Sequence, residues 1–383
     1  MLFVDFMDEW VSFFPAGSLE TIRGDLDLSY AQAGIILACF SLGGLLGTPI
    51  GGVAADFVDR RKLLAGGAFA YAASMALFGL AGDFWVMMFA ALLWGASSDP
   101  FTHPADVVLA ELDPGHFETN IARGNFLGSL GDILSPLTVA LVFAFGLDWR
   151  ILMFVGAAGM AAYGIWFLRL DIPPIEERDD GHTPWSSLVS VARDRRIILG
   201  ALAVTLFSTL DEPFAAFVIL FLRDDGYGAT TANVVAMVFF AASAVGFLLV
   251  PWLTRRFSAR GVRFGLTLLM LFGIMAVISG FIGLLVPGLF ITGAAGAAFY
   301  SIMYAGLLKL RPGQVGATGT VTSYIDTLAL AFPPLVGVTA DAVGLHAGLA
   351  LYGLIPAGIL LLLLASPSTN GQLALTESLI QDK

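Results

Sequence analysis

Three ionisable side chains are spaced so that a helix would carry them on one face. Asp99, His103 and Asp106 stand at positions i, i+4 and i+7 of an otherwise apolar stretch, and Pro100 and Pro104 are expected to loosen that helix. A histidine beside carboxylates can exchange protons near neutral pH, and the same set can hold a divalent cation. We interpret the trio as a proton or solute site, with a metal site or a structural role in a kinked helix as alternatives.

Carboxylates interrupt several other apolar stretches in which no Lys or Arg accompanies them. Each ionisable group inside a bilayer costs about 2.5 to 3.5 kcal/mol at the centre, so it is a functional candidate. Without a fixed cation these acids must be hydrated in a cavity, protonated or bound to a mobile cation. The simpler alternative is that they are polar residues facing a wet cavity. The candidates for a proton-coupling or solute cavity are Asp8, Glu9, Asp132, Asp211, Glu212 and Asp326.

The elements that carry these residues must be membrane helices. The chain of 383 residues is 57% hydrophobic and 13% charged, whereas a soluble domain is typically about 25% charged. About 20 apolar residues are needed to cross a bilayer, and the sequence predicts twelve such spans. They run over 2–22, 30–54, 63–82, 84–110, 120–146, 150–169, 196–222, 230–254, 264–285, 287–309, 316–341 and 346–365.

The basic residues predict the orientation of the chain. With twelve spans and both termini inside, all of the 19 Lys and Arg residues except Arg23, Arg150 and Arg223 fall on the cytoplasmic side. The net charge of −11 comes from acids in the outer loops and spans, which leaves no basic face for nucleic acid. We therefore expect an integral protein of a prokaryotic inner membrane with both termini in the cytoplasm.

One charged loop separates the second and third predicted spans. The segment from Gly51 to Lys62 contains Asp56, Asp59, Arg60 and Arg61, and it resembles the loop between helices 2 and 3 of the major facilitator superfamily of secondary transporters. In that family the loop latches the two halves on the cytoplasmic side. The resemblance implies a gating role for Gly51, Asp56, Arg60 and Arg61. Asp59 stands where the family usually has Gly, which we expect to alter the turn.

Two shorter resemblances concern the type of transporter. The glycine-rich stretch from Gly124 to Pro136 contains Gly128 and Gly131, which would allow close helix contact, and it is similar to a helix 5 motif of antiporters in the superfamily. Short matches in helices 1, 2 and 4 resemble the fosmidomycin-resistance branch, whose members export small molecules. The helix 4 arginine of many proton antiporters is absent, because Ala91 occupies that position.

The chain repeats itself once, which predicts two bundles. The acid pairs that begin at Asp8 and Asp211 are 203 residues apart, and Gly95 and Gly293 are 198 apart. The resemblance and the repeat together imply an N-terminal six-helix bundle over 1–170 and a C-terminal bundle with a short tail over 196–383. The polar segment 171–195 would be a cytoplasmic linker, with a short surface helix over 185–191.

The sequence therefore predicts an all-α polytopic membrane protein with the major facilitator fold, and not an enzyme. The expected function is secondary active transport of a small solute by alternating access, with efflux by proton antiport as the first choice. Transport of divalent metal or organic cations is the alternative, and an intramembrane hydrolase or a non-transporting sensor is a remote one. The expected partners are the solute, protons and the lipid bilayer. We expect no cofactor and a monomer.

Overall fold

The computed structural model describes residues 3–52, 59–112, 117–170, 184–311 and 314–365, and these residues form helices and no strands. The helices are α1 (Phe3–Ser12), α2 (Phe14–Asp25), α3 (Tyr30–Gly52), α4 (Arg60–Leu80), α5 (Phe84–Leu112), α6 (Phe117–Ala144), α7 (Arg150–Phe167), α8 (Pro184–Ala192), α9 (Arg195–Ser208), α10 (Glu212–Asp224), α11 (Ala229–Arg256), α12 (Ala259–Ile278), α13 (Ile282–Lys309), α14 (Val315–Asp326), α15 (Phe332–Val343), α16 (Leu345–Ala350) and α17 (Leu354–Ala365). Short 3₁₀ turns join α14 to α15 and α16 to α17.

These helices form the twelve crossings that the sequence predicts. Each of the pairs α1/α2, α9/α10, α14/α15 and α16/α17 makes one crossing, and α8 lies in the predicted linker. Ten segments among the described residues are long and apolar enough to cross a membrane. The other two crossings are α1/α2, which carries several acids, and α5, whose 29 residues span roughly 43 Å at the usual helical rise.

Four of the crossings are broken where the sequence predicted continuous helices, and in three of them a proline marks the position of the break. The second pieces α2, α10 and α15 all carry proline in their first turn, namely Pro15, Pro213 and Pro333. Proline is favoured there because the first helical turn does not need its missing N–H group. The breaks bring acids to helix ends, since Glu212 is the first residue of α10 and Asp326 is the last residue of α14.

The breaks also correct the predicted register of the repeat. Pro15 and Pro213 occupy matching places, which gives a spacing of 198 residues for the first crossing of each half rather than 203. The turns that follow agree, because Asp27 and Gly226, 199 residues apart, both have positive φ. Asp8 is therefore not the counterpart of Asp211. The two acid pairs lie at different places in the two halves.

The matching glycines of the repeat lie where two helices pack closely in each half. A Cβ atom added at Gly95 of α5 would overlap the carbonyl of Phe40 in α3, and one added at Gly293 of α13 would overlap the carbonyl of Phe239 in α11. Glycine is required at both positions because the two backbones touch. The same helix pair thus packs in the same way in each half.

The apolar core is divided in a way that is not quite symmetric. One cluster is built around Trp94 and Phe78 from α1 to α7, and a second is built around Phe214 and Phe299 from α9 to α17. The second cluster also takes in side chains of the first half: Phe13, Ala16, Leu19, Ala33 and Leu37. These belong to the end of the bundle where α2 meets α3, which we call the predicted outer end. The division into bundles over 1–170 and 196–383 stays a prediction.

Candidate functional site

Two acids of the first half meet where α1 packs against α6. The Cβ of an alanine at Gly131 would lie 2.6 Å from the carbonyl oxygen of Phe6, and Gly128 faces the Glu9 side chain. Because these glycines let the helices approach closely, the carboxyl groups of Glu9 and Asp132 lie within hydrogen-bonding reach of each other. The predicted glycine contact of helix 5 therefore explains how the acid pair is assembled.

Asp8 points to different partners from its neighbour Glu9. The Ser98 hydroxyl of α5 donates to Asp8, 3.0 Å from both Oδ1 and Oδ2. The buried hydroxyl of Tyr71 in α4 also lies within hydrogen-bonding reach of this carboxylate. Adjacent residues are about 100° apart on a helix, so α1 presents one acid to α5 and the other to α6.

The second half contributes acids at the break between α9 and α10. Glu212 is half-buried at the first turn of α10, where the positive end of the helix dipole favours a carboxylate. Its Oε1 atom accepts a hydrogen bond of 2.7 Å from the Ser12 hydroxyl at the end of α1. The preceding Asp211 is exposed at the bend. Ser12 and Glu212 therefore connect the two halves beside the acid pair.

Asp326 lies at the carboxyl end of α14, whereas Glu212 lies at the amino end of α10. It accepts a hydrogen bond of 2.7 Å from Ser208, the last residue of α9. The carboxyl terminus of a helix carries partial negative charge, so a carboxylate there is unfavourable unless a positive charge accompanies it. Asp326 is half-buried, which leaves room for water or a solute to reach it.

Aromatic rings lie near Asp326, whose charge acts on Tyr300. Tyr300 and Tyr304, one turn apart on α13, stack with their ring centres 5.7 Å apart and their planes within 4°. Phe207 of α9 packs against Tyr300 at 5.6 Å. Both tyrosines are half-buried. We call these three rings the aromatic wall.

The electrostatic environment of the site is acidic. Among the described side chains, the charges that act on Glu9 are those of Asp132, Asp8, Glu212 and Asp211, all of them acids. Each of these acids is at least partly accessible to water, as the cavity hypothesis requires. Among the described residues no group of three His, Cys, Asp or Glu side chains is arranged to hold a metal ion.

For the trio predicted on helix 4, the structure describes the backbone and not the side chains. Asp99, His103 and Asp106 lie in α5, which remains helical through Pro100 and Pro104. The expected loosening does not break the helix. The side chains of the trio fall outside the described residues, so its proton, solute or metal role stays a prediction. Ser98, the residue before the trio, contacts Asp8.

The predicted gating loop is also described in part. Gly51 lies in the last turn of α3, Asp56 falls outside the described residues, and Arg60 begins α4. Asp59 caps α4 by accepting a hydrogen bond of 3.0 Å from the backbone N–H of Arg61. Its φ of −48° needs no glycine, so the departure from the family pattern supplies a helix cap. The gating role of the loop stays a prediction.

The arrangement of helices and acids agrees with a comparison of the sequence with known families. The description "Major Facilitator Superfamily" belongs to a family profile that matches residues 1–329. The chain belongs to this superfamily. It is an integral membrane transporter of small solutes and not an enzyme, which removes the hydrolase alternative.

Solved structures of other superfamily members share the fold. The nucleoside transporter NupG superposes with a TM-score of 0.78 at 12% identity, covering 95% of this chain and 96% of that one. A D-xylose-proton symporter gives 0.76 at 14% identity, covering 95% and 94%. The sugar transporter ERD6 of Arabidopsis thaliana is 28% identical over 145 residues, which is 37% of this chain and 28% of that protein. The match therefore spans under a third of that relative's length.

Sequence analysis missed the hydroxyl and aromatic partners of the acids in this transporter. Ser12, Ser98 and Ser208 are serines in largely apolar helices, and nothing in their spacing distinguishes them from serines that bond their own helix. The aromatic wall did leave a pattern, because Tyr300 and Tyr304 stand four residues apart on one helix face.

Proposed function

We propose that this superfamily member is a proton-coupled transporter whose proton site is the carboxyl pair of Glu9 and Asp132. The observation that supports it is their mutual contact in a site where the described neighbouring charges are other acids. Two carboxyl groups in hydrogen-bonding contact repel when both are ionised, so such a pair holds a proton between them. Glu212, linked to α1 through Ser12, brings the second half within the same electrostatic site.

The proposed direction of coupling is antiport, with an organic cation as the solute. Asp326 at the negative end of α14, bonded to the last residue of α9, and the neighbouring aromatic wall suit a cation, because ring faces and carboxylates both attract positive charge. Protons and a cation then compete for one acidic region, and binding of one weakens the other. Exchange of a proton for the cation follows. We place the protein in a prokaryotic inner membrane as a monomer, with cytoplasmic termini and efflux as the physiological direction.

Symport of a neutral ring-shaped solute is a second candidate, and the stacked tyrosines favour it. A sugar or nucleobase ring can lie against the face of Tyr300 or Tyr304 as a cation can. Two of the structural neighbours are named as a nucleoside transporter and a D-xylose-proton symporter. In that case the proton would travel with the solute rather than against it.

The proton site is tested by flux in proteoliposomes with an imposed pH gradient. We expect Glu9→Gln and Asp132→Asn each to reduce gradient-driven flux to the level of empty vesicles, because a neutral amide cannot exchange a proton. Solute exchange without a gradient should persist, since it needs no proton movement. Asp225→Asn, which removes the same charge from an exposed turn, should behave as wild type. Gradient-driven flux in Glu9→Gln near the wild-type rate would refute the proposed site.

The solute class is tested by binding to the purified protein at two pH values. Under the antiport proposal benzyltrimethylammonium, an aromatic cation, should stabilise the protein more at high pH than at low pH, because protons compete with it. D-xylose or uridine should have little effect. Stabilisation by a neutral solute that grows as the pH falls would instead support symport.

A further inference from the structure

The amino end of α3 is completed by a residue from the other half of the transporter. Asp341 of α15 accepts hydrogen bonds of 2.8 Å from the backbone N–H groups of Tyr30 and Ala31, one to each carboxylate oxygen. The first turn is also capped from within, because Ser29 and Gln32 bond each other's backbone N–H groups. Asp341 thus satisfies amides that a local cap leaves free, and its charge meets the positive end of the helix.

Tyr30 connects this cap to a second contact between the halves. The Arg23 guanidinium lies 4.4 Å from the centre of the Tyr30 ring, and the Tyr30 hydroxyl is 3.5 Å from Oδ1 of Asp224. Beside them Arg223 of α10 donates to Glu20 of α2 at 3.0 Å. Four helices, α2, α3, α10 and α15, therefore meet around one tyrosine at the predicted outer end.

Beneath the cap, α3 and α15 touch through their backbones. A Cβ atom at Gly34 would overlap the carbonyl of Pro333, and one at Gly337 would overlap the carbonyl of Tyr30. A side chain at either position would have to separate the helices, because backbone atoms cannot move aside as a flexible side chain does. The contact between the halves at this end therefore depends on two glycines, one from each side.

We propose that this assembly is the latch that closes the predicted outer end and that it opens as a unit during transport. The latch comprises the Asp341 cap, the Gly34 and Gly337 seam and the Glu20–Arg223 pair. Asp341 is exposed and the other partners lie near the surface, so water can replace each hydrogen bond when the halves separate. Such a contact stabilises the state with the outer end closed without preventing the state with the outer end open. The proposal rests on the halves moving relative to each other and not on any coupling ion or solute.

The latch is tested by measuring the distance between spin labels across the predicted outer end. Labels are attached at Leu80→Cys and Phe281→Cys, two exposed positions in opposite halves, after Cys39→Ser removes the sole native cysteine. We expect Gly34→Ala to raise the population with the longer distance at least about fivefold, the lower end of typical conformational coupling. Asp341→Ala should act in the same direction.

Gly44→Ala is the matched control, because it makes the same change on the same helix where an added Cβ meets nothing within 4 Å. It should leave the distances unchanged. All variants are measured without solute or pH gradient, so the result is independent of the proposed proton coupling. Wild-type distances in both Gly34→Ala and Asp341→Ala would overturn the latch, even if transport were lost. A shift in Gly44→Ala as large as that in Gly34→Ala would also overturn it.

Discussion

Two acids, Glu9 of the first half and Asp326 of the second, are held by different partners. In the first half Glu9 is within hydrogen-bonding reach of another carboxyl group, that of Asp132. In the second half Asp326 accepts a hydrogen bond from a hydroxyl group, that of Ser208. A hydroxyl donor stabilises an ionised carboxylate, whereas a second carboxyl group needs a proton between the two.

The comparison suggests a division of labour in which the first half carries the proton and the second half carries the solute. The aromatic wall, built from α9 and α13, accompanies Asp326 in the second half. If the division holds, substitutions in the two halves should change different measurements. The variants below test it in order of the expected effect.

The largest effect is expected from the trio on α5, which lies in the proton-carrying half. His103→Ala and Asp99→Asn should each abolish flux driven by a pH gradient while the protein remains folded, because His titrates near neutral pH. The control is Ser301→Ala, which occupies the corresponding place on α13, 198 residues later. Near wild-type gradient-driven flux in His103→Ala would restrict the proton site to the acids of α1 and α6.

An intermediate effect is expected from the acid of the second half. Asp326→Asn should weaken binding of benzyltrimethylammonium by about tenfold, which corresponds to roughly 1.4 kcal/mol, because it removes the charge that faces the solute. The dependence of gradient-driven flux on pH should keep its shape. Binding is measured by calorimetry on the purified protein. A lost pH dependence with unchanged affinity would reverse the assignment of the two halves.

The smallest effect is expected from the aromatic wall. Tyr300→Ala should weaken binding of the same cation by roughly two- to fivefold, since a cation near one ring face contributes about 0.5 to 1 kcal/mol. Tyr300→Phe should retain most of the affinity because the ring is kept. If phenylalanine were as damaging as alanine, the hydroxyl and not the ring would be the contact, and a neutral hydrogen-bonding solute would be favoured.

Much of the fold followed from the sequence because membrane helices obey a simple rule of length and apolarity. The twelve crossings and the matching glycines Gly95 and Gly293 were predicted from hydropathy and the repeat. The breaks at Phe13 and near Asp211 were not predicted, although Pro15 and Pro213 marked them. A break in a membrane helix cannot be seen in the hydropathy of an apolar stretch, because hydropathy depends on composition and not on backbone hydrogen bonding.

The candidate site was predicted less completely, since it depends on contacts between distant helices. The acids themselves stood out as charges in apolar stretches. Their pairing did not, because Asp132 meets Glu9 only after Gly131 lets α6 approach α1. The sequence match of Asp8 with Asp211 was wrong for a related reason. Asp8 and Asp211 were matched because each begins a pair of acids. The helix boundaries, which define the register of the repeat, place them at different positions.

The acids of α1 have a consequence for biogenesis. The first crossing is absent from the ten segments that are apolar and long enough to insert alone, and Asp5, Asp8 and Glu9 each oppose entry into lipid. Partners of Asp8 and Glu9 are Ser98 on α5 and Asp132 on α6, which the ribosome makes at least 90 residues later. The α1 helix must therefore reach its final depth only after α5 and α6 have arrived, so insertion of this half is a cooperative event.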